Sequence, residues 1–122
     1  MSLNDMLFLL HTITTKLFTK LYERRYEIMK EIRHATLDLS GCKTLYDLHT
    51  RIRDSLDFPD YYGKNWSAFW DCLSVDCEYN FITVTGESRV ADILKESVAK
   101  MNEILERNRR YWHGQFDYEI ID

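Results

Sequence analysis

The sequence predicts a small α/β fold: a three-stranded parallel sheet packed with helices, plus an extra amphipathic helix at the N-terminus. Short strand-like runs fall at 34–39, which alternates, at 79–85, which is rich in aromatic and β-branched residues, and at 116–121, and stretches with helical spacing of apolar residues separate them. Strands alternating with helices pair in parallel through right-handed crossovers. With 45% hydrophobic residues, 14% aromatic, four Gly and one Pro in 122 residues, the chain has the composition of one compact domain and not of a disordered segment.

In chain order, Met6, Leu10, Ile13, Leu17, Leu21 and Ile28 recur at mostly three- and four-residue steps. Leu7, Phe18 and Tyr22 widen the stripe, so residues 4–28 read as one long amphipathic helix. Lys16, Lys20, Arg24 and Arg25 lie on its polar face, and its apolar face is expected to pack on its own domain or on a second copy of the chain in preference to a membrane surface. The run HATLDL alternates and stops at Ser40-Gly41, giving the first strand. Thr44 with Asp47 three residues on is an approximate capping box, followed by the stripe Leu45, Leu48, Ile52 and Leu56. His49 falls at the edge of that stripe and reads as a partly buried, hydrogen-bonded core histidine. Thr50, Arg51 and Asp54 fall on the solvent side. YNFITVT, closed by Gly86, is the second strand. From Ser88 to Trp112 the residues Val90, Leu94, Val98, Met101 and Leu105 mark a long helix, with Arg107, Arg109 and Arg110 where the dipole favours cations. His113-Gly114 is a C-cap, and 116–121 forms the third strand.

The 16 basic and 20 acidic residues leave a net charge of −4, which disfavours a general nucleic-acid binder. Within 57–78 the acids Asp57, Asp60, Asp71, Asp76 and Glu78 face Lys64 as the sole base, so this window holds the whole excess. An acidic patch rich in aromatics suits a basic partner, although a solvated loop and helix face would carry the same charges. Three cysteines, Cys42, Cys72 and Cys77, with no CxxC pair are no disulfide framework and fit a reducing cytoplasm. Cys72-x4-Cys77 with His49 or His113 is poorly spaced for zinc, so neither metal nor cofactor is expected. The apolar start carries His11 and Lys16 early and lacks a cleavage site, so neither a signal peptide nor a membrane span is expected.

The stretch FPDYYGKNWSAFWDCL, residues 58–73, is the densest in information. Pro59 sets an extended approach, Gly63 can take a backbone angle closed to other residues, and Asn65 is a strong N-cap before Trp66. The short helix that follows runs to about Val75. It turns Trp66, Phe69 and Leu73 to the core and Ser67, Asp71 and Ser74 outward, with Trp70 at the border and Tyr61 and Tyr62 on the turn before it.

This run resembles the signature of the barstar family, intracellular inhibitors of small guanyl-specific secreted ribonucleases: a turn with paired Tyr and Gly, then a Leu/Trp-rich helix ending Trp-Asp-Cys-Leu. The order of the surrounding elements extends the likeness from about Ile32 to the C-terminus. The resemblance implies a barstar-like domain at 29–122, with residues 1–28 an extension and Met29 a candidate original start. It also implies that the turn and short helix press into a ribonuclease active site, where Asp71 imitates a substrate phosphate, Trp70 and Tyr61 are contacts and Asn65 stands at the helix start. The expected partner-binding set is Tyr61, Asn65, Ser67, Trp70, Asp71 and Ser74, the expected partner is a small basic ribonuclease, and no catalytic residue is expected. The chain would then be an antitoxin or immunity protein of a bacterial cytoplasm. There are departures as well: Ser67 replaces a second interface Asp, Lys64 replaces a Glu, and Val75-Asp76 replaces a Gly-Trp pair.

Two alternatives come from other classes. A small nuclease would need His34, His49 or His113 beside a carboxylate, and nothing in the sequence brings them together. A scaffold protein would keep the fold and recruit another partner, or a second copy of itself, through the N-terminal helix.

Overall fold

Parallel neighbours cannot be joined by a tight hairpin, so each strand of such a sheet must be followed by a long crossover. The computed structural model describes residues 2–6 and 31–122, and the chain divides into two compact units, Met1–Glu31 and Ile32–Asp122. In the first unit residues 3–6 form a helical turn. Ser2 Oγ accepts the Asp5 N–H at 3.1 Å and the Asp5 carboxylate accepts the Ser2 N–H at 3.4 Å, the reciprocal pattern of a capping box. The rest of the helix expected over 4–28 lies outside the described residues.

The second unit runs β1 (His34–Asp38), α1 (Leu45–Ser55), α2 (Trp66–Asp71), β2 (Phe81–Thr85), α3 (Lys95–Tyr111) and β3 (Asp117–Ile121). The sheet order is β1-β2-β3, both pairs are parallel, and Thr36, Thr83 and Glu119 form one rung across it. Alternation puts Ala35 and Leu37 of β1 and Ile82 and Val84 of β2 into the core. On the other face Thr83 Oγ1 lies 2.7 Å from His34 Nε2 and donates to Glu119 Oε1 at 2.9 Å, so the buried hydroxyl is satisfied from both edge strands. Leu48 and Ile52 of α1, Phe69 of α2, and Met101 and Leu105 of α3 complete one contiguous core.

Several details differ from the sequence reading. β2 begins at Phe81, because Tyr79 donates its hydroxyl to the Asp57 carboxylate and the Asn80 N–H bonds Arg33 O ahead of the strand. α3 begins at Lys95, not Ser88. Residues 87–94 instead form two short 3-10 turns with Val90 and Ala91 extended between them, and Ala91 N–H bonds Cys42 O at 3.2 Å, tying this segment to the loop before α1. Val90 and Leu94 are buried all the same. The capping box of Thr44 and Asp47 is present in full, but Leu45, the first helical residue, is exposed, and His49 joins Leu48 and Ile52 on the buried side. Arg51, expected on the solvent side, donates to Asp38 O and to Ser40 O at the end of β1.

Gly86 closes β2 at φ 76°, and a Cβ there would press on Ser40 Oγ and lie 2.7 Å from Asp38 Oδ1. Both the left-handed angle and the close approach require glycine at this position.

Candidate partner-binding site

Pro59 to Tyr62 is a hydrogen-bonded turn, with Tyr62 N–H on Pro59 O at 2.9 Å and Asp60 and Tyr61 at its tip. The chain then reverses the side chains of two successive tyrosines. Tyr61 is exposed, whereas the Tyr62 ring is buried between Phe58 and His49, with centroids 5.4 and 5.7 Å away. Tyr62 Oη is 2.6 Å from His49 Nδ1, and His49 also stacks on Trp66 at 4.5 Å. Burial, with the Lys64 charge adding to it, lowers the His49 pKa, and burial raises that of Tyr62. The neutral pair therefore forms a dry seat under the turn.

The left-handed backbone expected at Gly63 belongs to Lys64, at φ 51°. Gly63 is small for a different reason: a Cβ would lie 3.2 Å from Asn65 Nδ2 and 3.4 Å from Ala68 Cβ. Asn65 caps α2 as expected. Its Oδ1 accepts Ala68 N–H at 2.8 Å and its Nδ2 donates to Gly63 O at 3.1 Å, so the amide clamps the turn to the helix.

Six residues of α2 are too few to be stable alone, and tertiary contact holds them. Phe69 is fully buried, flanked by Phe58 at 6.2 Å and Trp66 at 5.7 Å. Beyond Asp71 the helix widens into a π turn at Cys72–Asp76. The widened turn carries Ser74 away from the outward face on which regular 3.6-residue spacing placed it. Ser74 is buried and donates to Trp70 O at 2.6 Å, so the sequence reading of Ser74 as a surface residue is corrected.

Tyr61, Ser67 and Asp71 are exposed, with Asn65 at the helix start and Trp70 half-buried. The Asp71 carboxylate accepts no hydrogen bond from, and forms no ion pair with, any described residue. Trp70 is at the border, as its position in the helix implied, and side chains of α3 pack against it. The Arg107 guanidinium lies 4.0 Å from its ring centre, and Tyr111 meets it edge-on at 5.9 Å. A cation on an exposed indole contributes about 0.5–1 kcal/mol. Tyr111 in turn meets Trp112 at 5.4 Å, and Trp112 Nε1 donates to Ser74 O at 3.2 Å. This flank came from the end of α3, where the sequence showed only a helix terminus; the spacing of Arg107 and Tyr111, four apart on one face, was its one visible signal.

Two substitutions that reduce the negative charge also find places. Lys64 lies over the Tyr46 ring at 4.2 Å, drawn toward α1. Ser67 follows Trp66, which lines a cleft of about 510 Å³ with Ile93, Glu96, Ser97, Lys100 and Glu103.

The groups of the alternative readings are not assembled. His34 bonds Thr83 on the sheet, His49 bonds Tyr62 in the core, and His113 sits past α3 at φ 45°. Burial raises the thiol pKa values of Cys72 and Cys77, the latter to about 11, so both are protonated at neutral pH and poor nucleophiles. Among the described residues no group of three His, Cys, Asp or Glu could hold a metal ion, and no helix is long and apolar enough to cross a membrane.

The exposed face of this segment thus carries Tyr61, Ser67 and Asp71, while Phe58, Tyr62 and Phe69 lock its other side into the core. The chain belongs to the barstar family: the family model Barstar (barnase inhibitor) matches residues 32–120. It is also 44% identical over 43 residues to a protein of Bacillus subtilis (strain 168) named "Putative ribonuclease inhibitor YrdF", a match that covers 35% of this chain and 47% of that relative. The chain thus spans about half the length of this curated relative.

Proposed function

We propose that this chain is a ribonuclease inhibitor that binds a small basic ribonuclease through residues 58–76 and blocks its active site without itself being an enzyme. The observation that carries this reading is the exposed Asp71 carboxylate, unpaired among the described residues. Cationic groups that hold a substrate phosphate would accept a carboxylate in its place, and exclusion of water at the contact strengthens the attraction. Trp70 and Tyr61 supply apolar area beside the charge, Ser67 a small polar contact, and Asn65 the clamp that fixes the approach. Ser74 acts from within, holding the turn that carries Trp70 and Asp71.

The acid-rich window adds steering: association is expected to slow as salt shortens the Debye length to about 10 Å at 0.1 M, while dissociation changes less. We further propose that residues 29–122 are the inhibitory domain, that residues 1–28 are an accessory, and that the protein works in a reducing cytoplasm. The test is inhibition of RNA cleavage by small secreted guanyl-specific ribonucleases, using the full chain and a chain beginning at Met29. Stoichiometric inhibition by both is expected. RNA cleavage by the purified chain itself, or loss of inhibition on truncation alone, would favour the nuclease or the scaffold reading respectively.

A further inference from the structure

We propose that Arg107 is a specificity-determining residue of this face, placed to pair with an acidic side chain on the rim of the ribonuclease; this rests on the ribonuclease-binding reading above. Nearby on α3, Lys100 pairs with Glu103 at 3.7 Å, and Arg109 with Glu106 at 3.2 Å and Asp117 at 3.4 Å. Arg107 pairs with no carboxylate among the described residues. Its guanidinium lies instead over Trp70, 4.0 Å from the ring centre, and Trp70 is the residue immediately before Asp71.

A guanidinium held over an aromatic ring is pre-organised, weakly hydrated and still able to present N–H groups to a carboxylate. Its surroundings favour such a contact. Tyr111 meets Trp70 and Trp112 meets Tyr111, and with relative exposures of 61% and 38% they form an apolar ledge that would exclude water from a pair formed at its edge. The charge pattern also discriminates. A uniformly basic partner gains at Asp71 but is repelled at Arg107, whereas one with a carboxylate flanking its basic cleft gains at both. The fold thus offers a negative centre with a positive flank, and selects for the reverse arrangement.

The experiment measures inhibition constants of wild type, Asp71→Ala, Arg107→Ala, Arg107→Lys and Arg107→Glu against a panel of small secreted guanyl-specific ribonucleases differing in rim charge, at low and high salt. For the best-inhibited enzyme we expect Arg107→Ala to weaken inhibition about tenfold and Arg107→Glu about a hundredfold, with Lys restoring part of the loss and salt shrinking the differences. Against enzymes with a basic rim, Arg107→Glu should improve inhibition. If Asp71→Ala abolishes inhibition while the Arg107 variants match wild type, the role of Arg107 is overturned and the ribonuclease reading stands. Equal, salt-independent losses for Ala and Glu would reduce Arg107 to a support for Trp70 and likewise overturn the proposal. If wild type inhibits no enzyme of the panel, the ribonuclease reading fails and this proposal with it.

Discussion

Tyr61 and Tyr62 are the same side chain on successive residues, yet 82% of one is exposed and 5% of the other. The contrast holds for the whole run from Phe58 to Asp76. On one side Phe58, Tyr62, Phe69 and Leu73 are core, tied through His49 and Trp66 to α1; on the other Asp60, Tyr61, Ser67 and Asp71 touch little of their own chain. A turn and six helical residues, the proposed binding surface, have little stability of their own. That surface is rigid because its reverse side is packed, and a rigid surface loses less conformational entropy on association. Changes on the inner side should therefore act on folding, and changes on the outer side on binding.

The largest expected break of that division on the inner side is Phe69→Ala. Removing a fully buried ring between Phe58 and Trp66 should cost about 3–5 kcal/mol of stability by chemical denaturation, and binding should weaken only as far as the fold is lost. Next is pH. His49 is held neutral in the fold, with a pKa below its ordinary 6.5, so the unfolded chain takes up a proton first as pH falls. Stability is thus expected to be unaffected by His49 above about pH 6.5 and to decline as pH drops below it. Denaturation at pH 7.5 and 5.5 checks this, and His49→Gln should flatten the slope between those two values. The smallest inner effect is at Asn65, where loss of the N-cap by Asn65→Ala should cost about 1 kcal/mol of folding and slacken the turn.

Much of this was legible in the sequence because it depends on local rules. Alternation and helical spacing showed three strands and the helices between 45 and 111, while Thr44 with Asp47 and Asn65 before Trp66 are caps that residue type and spacing announce. What could not be read depends on partners distant in the chain. The early helical pattern at 88–94 is broken because Ala91 bonds the loop near Cys42, a contact across about fifty residues. Ser74 is buried because the helix widens behind Asp71, and 3.6-residue spacing cannot foresee a π turn. Arg107 reaches Trp70 only once α3 lies beside α2. At Gly63 the residue was informative but its reason was not: space, not backbone angle, requires it.

The central claim is that the outer side binds without supporting the fold, and Asp71→Ala tests it most directly when folding and inhibition are measured on the same preparation, with Asp76→Ala as the control at the rim. Folding stability should move by about 0.5 kcal/mol or less, as for a surface substitution. Inhibition of the cognate ribonuclease should weaken by about 2–5 kcal/mol, the range for truncating one partner of a buried, hydrogen-bonded charge pair. Asp76→Ala should change it by about 1 kcal/mol or less. Equal losses at Asp71 and Asp76, or a large fall in stability for Asp71→Ala, would contradict the role of Asp71 as a phosphate mimic.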